Sequence, residues 1–130
     1  MSTKIKQILL TLSILISLIS CTSLKNKLLG SWDNKKGQIL EFKKDNQAEW
    51  IFYNETSKDA FQINYNTNFN TKPIQLELTN FKAGPLKGKT LFGIIEFTND
   101  STLRFDCEPL LADRPKDFNS EQTQTYFKLK

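Results

Sequence analysis

Apolar and polar residues alternate with a period of two along most of the chain beyond residue 28, as expected of strands that bury one face. Leu28 to Trp32 forms the first strand candidate, and a turn around Asn34 to Gly37 leads to Gln38 to Lys43, where Leu40 and Phe42 share a face. The turn Lys44-Asp45-Asn46 predicts a hairpin into Gln47 to Tyr53, with Ala48, Trp50 and Phe52 together. Phe61, Ile63 and Tyr65 repeat the pattern over Ala60 to Tyr65. After an Asn-rich bend at Asn66 to Thr71, Pro73 opens a strand carrying Ile74, Leu76 and Leu78. Gly84 to Lys89 reads as a turn, followed by Leu91 to Thr98, which is apolar on both faces and is expected to be covered on both. Asn99-Asp100-Ser101 connects it to Thr102 to Cys107. The polar stretch from Glu108 to Thr123 then precedes a closing strand, Gln124 to Lys130, with Thr125, Phe127 and Leu129 expected inward.

Eight successive short strands with one apolar face each make the chain all-β, an antiparallel meander that can curl into an up-and-down barrel. An open sheet or sandwich of the same strands satisfies the periodicity equally well. Helical periodicity is not sustained anywhere after residue 20.

The first 20 residues differ. Lys4 and Lys6 precede an apolar run from Ile8 to Ile19, a secretion signal pattern too short to span a bilayer comfortably. Its end, Leu18-Ile19-Ser20-Cys21, resembles the lipobox of bacterial lipoproteins. That resemblance implies acylation of the Cys21 thiol, cleavage before it, and anchorage to a membrane of the cell envelope by lipid chains such as palmitate. It divides the chain into a signal peptide (1–20), a lipidated tether (21–27) and a β domain (28–130). Thr22 is not the Asp that resembles an inner-membrane retention signal in enteric bacteria, so the outer membrane is expected if the host is Gram-negative.

Composition narrows the function further. With 130 residues there is room for one small domain. The chain contains no His, which excludes imidazole as base, proton shuttle or metal ligand. Removing Lys4 and Lys6 takes the formal charge from +4 to +2, because all 14 acidic residues lie after residue 20. The lysines are scattered, so nucleic acid is not an expected partner, although Lys25 and Lys27 stand near where anionic lipid headgroups would lie. With Cys21 lipidated, Cys107 is the one free thiol and no intramolecular disulfide is available.

Leu29-Gly30-Ser31-Trp32 resembles the Gly-x-Trp signature of lipocalins and of related bacterial domains. Pro73 to Leu78, Gly88-Lys89-Thr90, Gly93-Ile94-Ile95, Asp100 to Leu103, Cys107 and Arg114 to Phe118 are similar, in order and spacing, to a family of small bacterial lipocalin-like domains abundant in planctomycetes. The likeness covers residues 28 to 130. It departs from the family where an aromatic usually follows the Gly-Ile pair, which is Ile95 here, and in a loop before Arg114 that is short of glycine. The resemblance implies a barrel and no established activity. It also implies that Trp32, following Gly30, packs across one barrel end under a late arginine, for which Arg114 and Arg104 are the candidates. Arg114, in a loop, has a second reading as a clamp for an acidic ligand.

The expected inward set is Leu40, Phe42, Trp50, Phe52, Phe61, Ile63, Tyr65, Leu76, Leu78, Phe97, Phe105 and Phe127, bulky enough for a packed or narrow interior rather than a wide calyx. Trp50, Tyr53 and Tyr65 are the candidates to meet a ligand, because their polar tips need partners if buried. Asp106, Glu108, Asp113 and Asp117 fit no calcium loop and read as a solvated acidic segment. Cys107 lacks an activating His and alternates with core residues. No catalytic residue, metal site or cofactor is therefore expected. The expectation is a lipid-anchored envelope protein that binds a small apolar ligand or lipid. The alternative is a structural protein whose loops, 54–59, 66–71 and 109–120, contact another envelope protein, with Phe69 as a candidate exposed tip.

Overall fold

In a computed structural model of the chain, residues 23–108, 113–118 and 121–130 are described. The signal segment 1–20, Cys21, Thr22 and parts of the 109–120 loop lie outside the described residues. Eight strands follow in chain order: β1 (Gly30–Asp33), β2 (Gln38–Phe42), β3 (Gln47–Tyr53), β4 (Lys58–Asn68), β5 (Ile74–Thr79), β6 (Leu91–Asn99), β7 (Thr102–Cys107) and β8 (Gln124–Lys128). Each pairs antiparallel with the next, and β1 returns to β8 through Trp32 opposite Lys128 and Asp33 opposite Phe127, closing the barrel. Closure leaves no sheet edge for another chain to extend.

Local chemistry sets the hairpins. Between β2 and β3, Asp45 and Asn46 take φ of 62° and 59°, a left-handed geometry that Asp and Asn tolerate better than most residues, and Lys43 N donates to Gln47 O at 2.8 Å. Between β1 and β2, Asn34 Oδ1 accepts from the amides of Lys36 (2.8 Å) and Gln38 (3.0 Å). There Gly37 (φ 97°) has no room for a side chain, since a Cβ would lie 2.9 Å from the Tyr53 carbonyl oxygen. β4 runs three residues beyond the expected end. Asn66 and Asn68 are poor strand formers, but they and Thr67 between them are paired with Glu77, Gln75 and Leu76 of β5, and the ladder outweighs propensity.

Residues 23–28 are helical, where the sequence suggests only a tether and the start of a strand. Leu24 and Leu28 lie one turn apart on one face, and Leu28 is fully buried against the barrel end. The helix carbonyls find donors in the barrel: Trp32 Nε1 donates to Leu28 O (2.8 Å) and Lys128 Nζ to Lys27 O (2.8 Å). We call this the closed end. The connections 33–38, 53–58 and 79–91 surround the opposite end, the mouth, where β7 also ends and β8 begins.

The interior holds Leu28, Trp32, Leu40, Phe42, Trp50, Ile63, Tyr65, Leu76, Leu78, Leu103, Phe105 and Tyr126 in one cluster. Phe97 is half-buried at its border. In β8 the inward face differs from the expectation. Gln124 and Tyr126 stand opposite the inward Phe105 and Leu103, so they point inward, whereas Phe127 and Leu129 are exposed. Both faces of this strand carry apolar residues, so periodicity cannot choose between them and register does. Phe127 is instead covered by Lys35, whose Nζ lies 4.4 Å from the ring centroid. Strand β6 is covered on both faces only at its middle, with Ile95 inward and Ile94 buried on the outer wall, while Phe92 and Glu96 on that wall are exposed. Asp106, opposite Ile94, is also fully buried there rather than solvated. The Thr123 hydroxyl lies 2.6 Å from Asp106 Oδ2 and 3.0 Å from Phe118 O, donating to one of them, so the segment after β7 folds back over this wall.

Cys107 is half-buried, facing inward beside Phe105. Burial above all, with the charges of Asp106 and Glu108 adding, pushes its thiol from 9.0 up to about 12. Between those values the folded chain keeps a proton that the unfolded chain releases, so the thiol's contribution to stability is complete below about pH 9 and is lost as pH rises toward 12. The urea midpoint should therefore fall with rising alkalinity, and fall less steeply in Cys107→Ala. Equal slopes would contradict the assignment. For the closed end, Trp32→Phe removes the bond to Leu28 O and should cost about 1 kcal/mol, against about 3–5 kcal/mol for Trp32→Ala, by urea unfolding.

Candidate functional site at the barrel mouth

Three inward positions at the mouth bear aromatic rings. Trp50 and Phe52 alternate along β3, and Phe61 of β4 stands directly opposite Trp50. Phe52 and Phe61 face the barrel axis as expected, yet they are 38% and 39% exposed because they stand above the packed layers. Trp50 and Phe52 have centroids 5.2 Å apart, and Phe52 meets Phe61 edge to face at 5.8 Å. The 80–90 connection completes the wall. Its turns are tied by Gly88 N to Phe81 O (3.1 Å) and Lys89 N to Leu86 O (2.9 Å), which folds Phe81 down to 6.4 Å from Trp50 and sets Leu86 against the core. The result is a cavity of about 380 Å³ lined by Trp50, Phe52, Phe61, Phe81, Pro85 and Leu86, with Asp59 as its one ionisable lining group.

Beneath the apolar cup lies a polar layer. Gln38 Oε1 accepts from Trp50 Nε1 (3.2 Å) and lies 3.1 Å from the Tyr126 hydroxyl. That hydroxyl is also 3.0 Å from Gln124 Oε1, which accepts from Asn34 Nδ2 at 3.0 Å. Burial raises the Tyr126 hydroxyl pKa far above its ordinary value, so it stays protonated and donates. The polar tip of Trp50 is thus satisfied within the protein, and its ring face is what a ligand would meet.

Of the residues expected to meet a ligand, Trp50 alone lines the cavity. Tyr65 is buried toward the closed end, with its hydroxyl on Lys43 O (2.9 Å) and its pKa raised by burial. Tyr53 alternates to the outer wall, where it donates to Asp33 Oδ1 at 2.8 Å; that bond, chiefly, raises its pKa. Arg114 is a clasp on the outer wall. Nη1 donates to the carbonyls of Leu76 (3.0 Å) and Gly93 (2.7 Å), Nη2 pairs with Glu77 (3.0 Å), and the guanidinium carbon lies 5.4 Å from the centre of Phe92. Arg104 pairs with Glu96 and covers Phe118.

Neither arginine covers Trp32. Lys128 does so, with Nζ 5.2 Å from the ring centroid, because β8 places it directly opposite Trp32. Gly30 (φ 120°) leaves space for that lysine, since a Cβ would approach its Cε to 3.2 Å. Phe69 is half-buried and packs against the core rather than forming an exposed tip. Phe81, Pro85 and Leu86 are the lining residues that periodicity misses. Their signal is apolar residues inside a polar connection too long for a tight hairpin.

Comparison of the chain with protein-family models, with curated proteins and with solved structures finds no match.

Proposed function

We propose that this protein is a lipid-anchored lipoprotein of the cell envelope, non-catalytic, whose barrel mouth holds a small apolar molecule or one chain of a lipid. The observation that carries this reading is the cup of Trp50, Phe52, Phe61 and Phe81. Of these, Phe52 and Phe61 are left exposed on an inward face above the buried Trp50 and Phe81, and a ligand covering them would recover about 25 cal/mol per Å² of apolar surface. At about 380 Å³ the cavity stands at the small end of ligand pockets, which suits a single chain or a compact ring better than a whole two-chain lipid. Asp59 at the lining favours a neutral or cationic polar end over a carboxylate. Among the described residues the lining holds no Ser, Cys, Lys or His, and the chemistry of this reading is non-covalent. Membrane attachment rests on the Cys21 pattern, and the ligand class rests on the apolar lining of the cup.

Native mass spectrometry of the protein released gently from its own membranes should reveal a retained small molecule, and the mass of the N-terminal peptide should carry acyl chains on Cys21. Displacement of a fluorescent apolar probe should show Phe61→Arg weakening uptake by roughly ten-fold or more with little change in thermal stability. Tyr65→Phe should leave uptake unchanged. A bare mass together with no probe uptake in the unaltered protein would refute the ligand reading.

A further inference from the structure

The two barrel ends differ in charge. The closed-end segments 23–29, 43–46, 69–73, 100–101 and 128–130 carry seven lysines and two aspartates. The mouth segments 33–38, 53–59 and 80–90 carry six lysines and three carboxylates, a smaller excess of positive charge. At the closed end Lys27 pairs with Asp100 (3.0 Å) and Lys43 with Glu49 (3.1 Å), while Lys25, Lys44, Lys72 and Lys130 are exposed. Beside them an apolar groove of about 550 Å³ runs between the helix and the β4–β5 turn, lined by Leu24, Phe69, Pro73, Ile74 and Phe97 and flanked by Lys27, Lys72 and Glu96, the last paired with Arg104.

The geometry points to the closed end as a docking face for an anionic lipid bilayer, with the lysines at the headgroups and the groove edge against the interface. The position of the N-terminal segment selects this partner. The chain enters the barrel at this end, and Cys21 is two residues from the helix, about 7 Å when extended. An anchor there would hold the lysines within roughly one Debye length of the bilayer, about 8 Å at physiological salt, where an anionic surface attracts them. The mouth would then face away from the membrane. The choice of a bilayer as partner rests on the lipoprotein reading, whereas the cationic character of the face does not.

The test reconstitutes the whole protein, as its host makes it, into phosphatidylcholine vesicles with and without phosphatidylglycerol and follows amide hydrogen exchange by segment. Slower exchange at 23–29, 43–46 and 69–73 in the anionic vesicles alone is expected. The protection should be about five-fold or more, weakened by salt, and absent when Lys25, Lys44, Lys72 and Lys130 are together replaced by Gln. All four lysines are exposed, so the variant should keep its thermal midpoint. Equal exchange in the two vesicles, or protection confined to 53–59 and 80–90, would overturn the proposal. Protection by soluble polyglutamate that anionic vesicles fail to reproduce would assign the face to an acidic polymer instead. The N-terminal peptide mass reads the anchor separately. If Cys21 carries no acyl chain, the same comparison with the unlipidated chain added to vesicles still decides the docking face.

Discussion

Closing a sheet of eight strands creates two open ends, and a chain of this size has to seal at least one of them to exclude water from its core. Trp32 performs the seal. Its ring is fully buried, stacks at a tilt 6.0 Å from Phe97, lies under Lys128 and ties its indole nitrogen to the end of the preceding helix. One residue therefore joins the helix, the first strand and the last strand, the three elements that must meet for the barrel to close. The β1–β8 ladder is the shortest in the barrel, with two aligned pairs, so these side-chain ties reinforce the seam where backbone bonding is sparse.

With one end sealed, the other is free to carry function. The polar layer of Gln38, Gln124, Tyr126 and Asn34 separates the packed lower core from the aromatic cup, and each interior polar tip in it has a partner. The network fixes the orientation of Trp50, and so the floor of the cavity. The long connection between β5 and β6 then supplies Phe81 and Leu86 as a wall.

Strands with one apolar face were legible from sequence. In β3, β5 and β7 the alternation of Ala48 and Trp50, Leu76 and Leu78, or Leu103 and Phe105 leaves a single choice of inward face. β8 was not legible, because Phe127 and Leu129 outweigh Tyr126 by hydropathy while the register set by β7 turns Tyr126 inward. The helix at 23–28 escaped for a related reason. Six residues are too few to show a helical period, and their stability comes from Trp32 and Lys128, residues distant in sequence or buried in the barrel. At the site, Trp50 was readable as an inward aromatic on a clean strand. Tyr65 was equally inward, but its height along the barrel, which puts it at the closed end, depends on pairings that one strand alone does not reveal.

The cation over Trp32 carries the same lesson in chemical form. The lipocalin-like pattern implies a late arginine, and this chain has two, yet both serve the outer wall: Arg114 across β5 and β6, Arg104 beside Phe118. Lys128 takes the place because register sets it opposite Trp32 and because Gly30 leaves room for its methylene chain. A lysine there has a consequence an arginine would share only in part. Its compact ammonium both faces the indole and reaches the Lys27 carbonyl, so the positive charge that seals the barrel also caps the helix leading back toward residue 21. The barrel end and the helix 23–28 are thereby joined through one side chain.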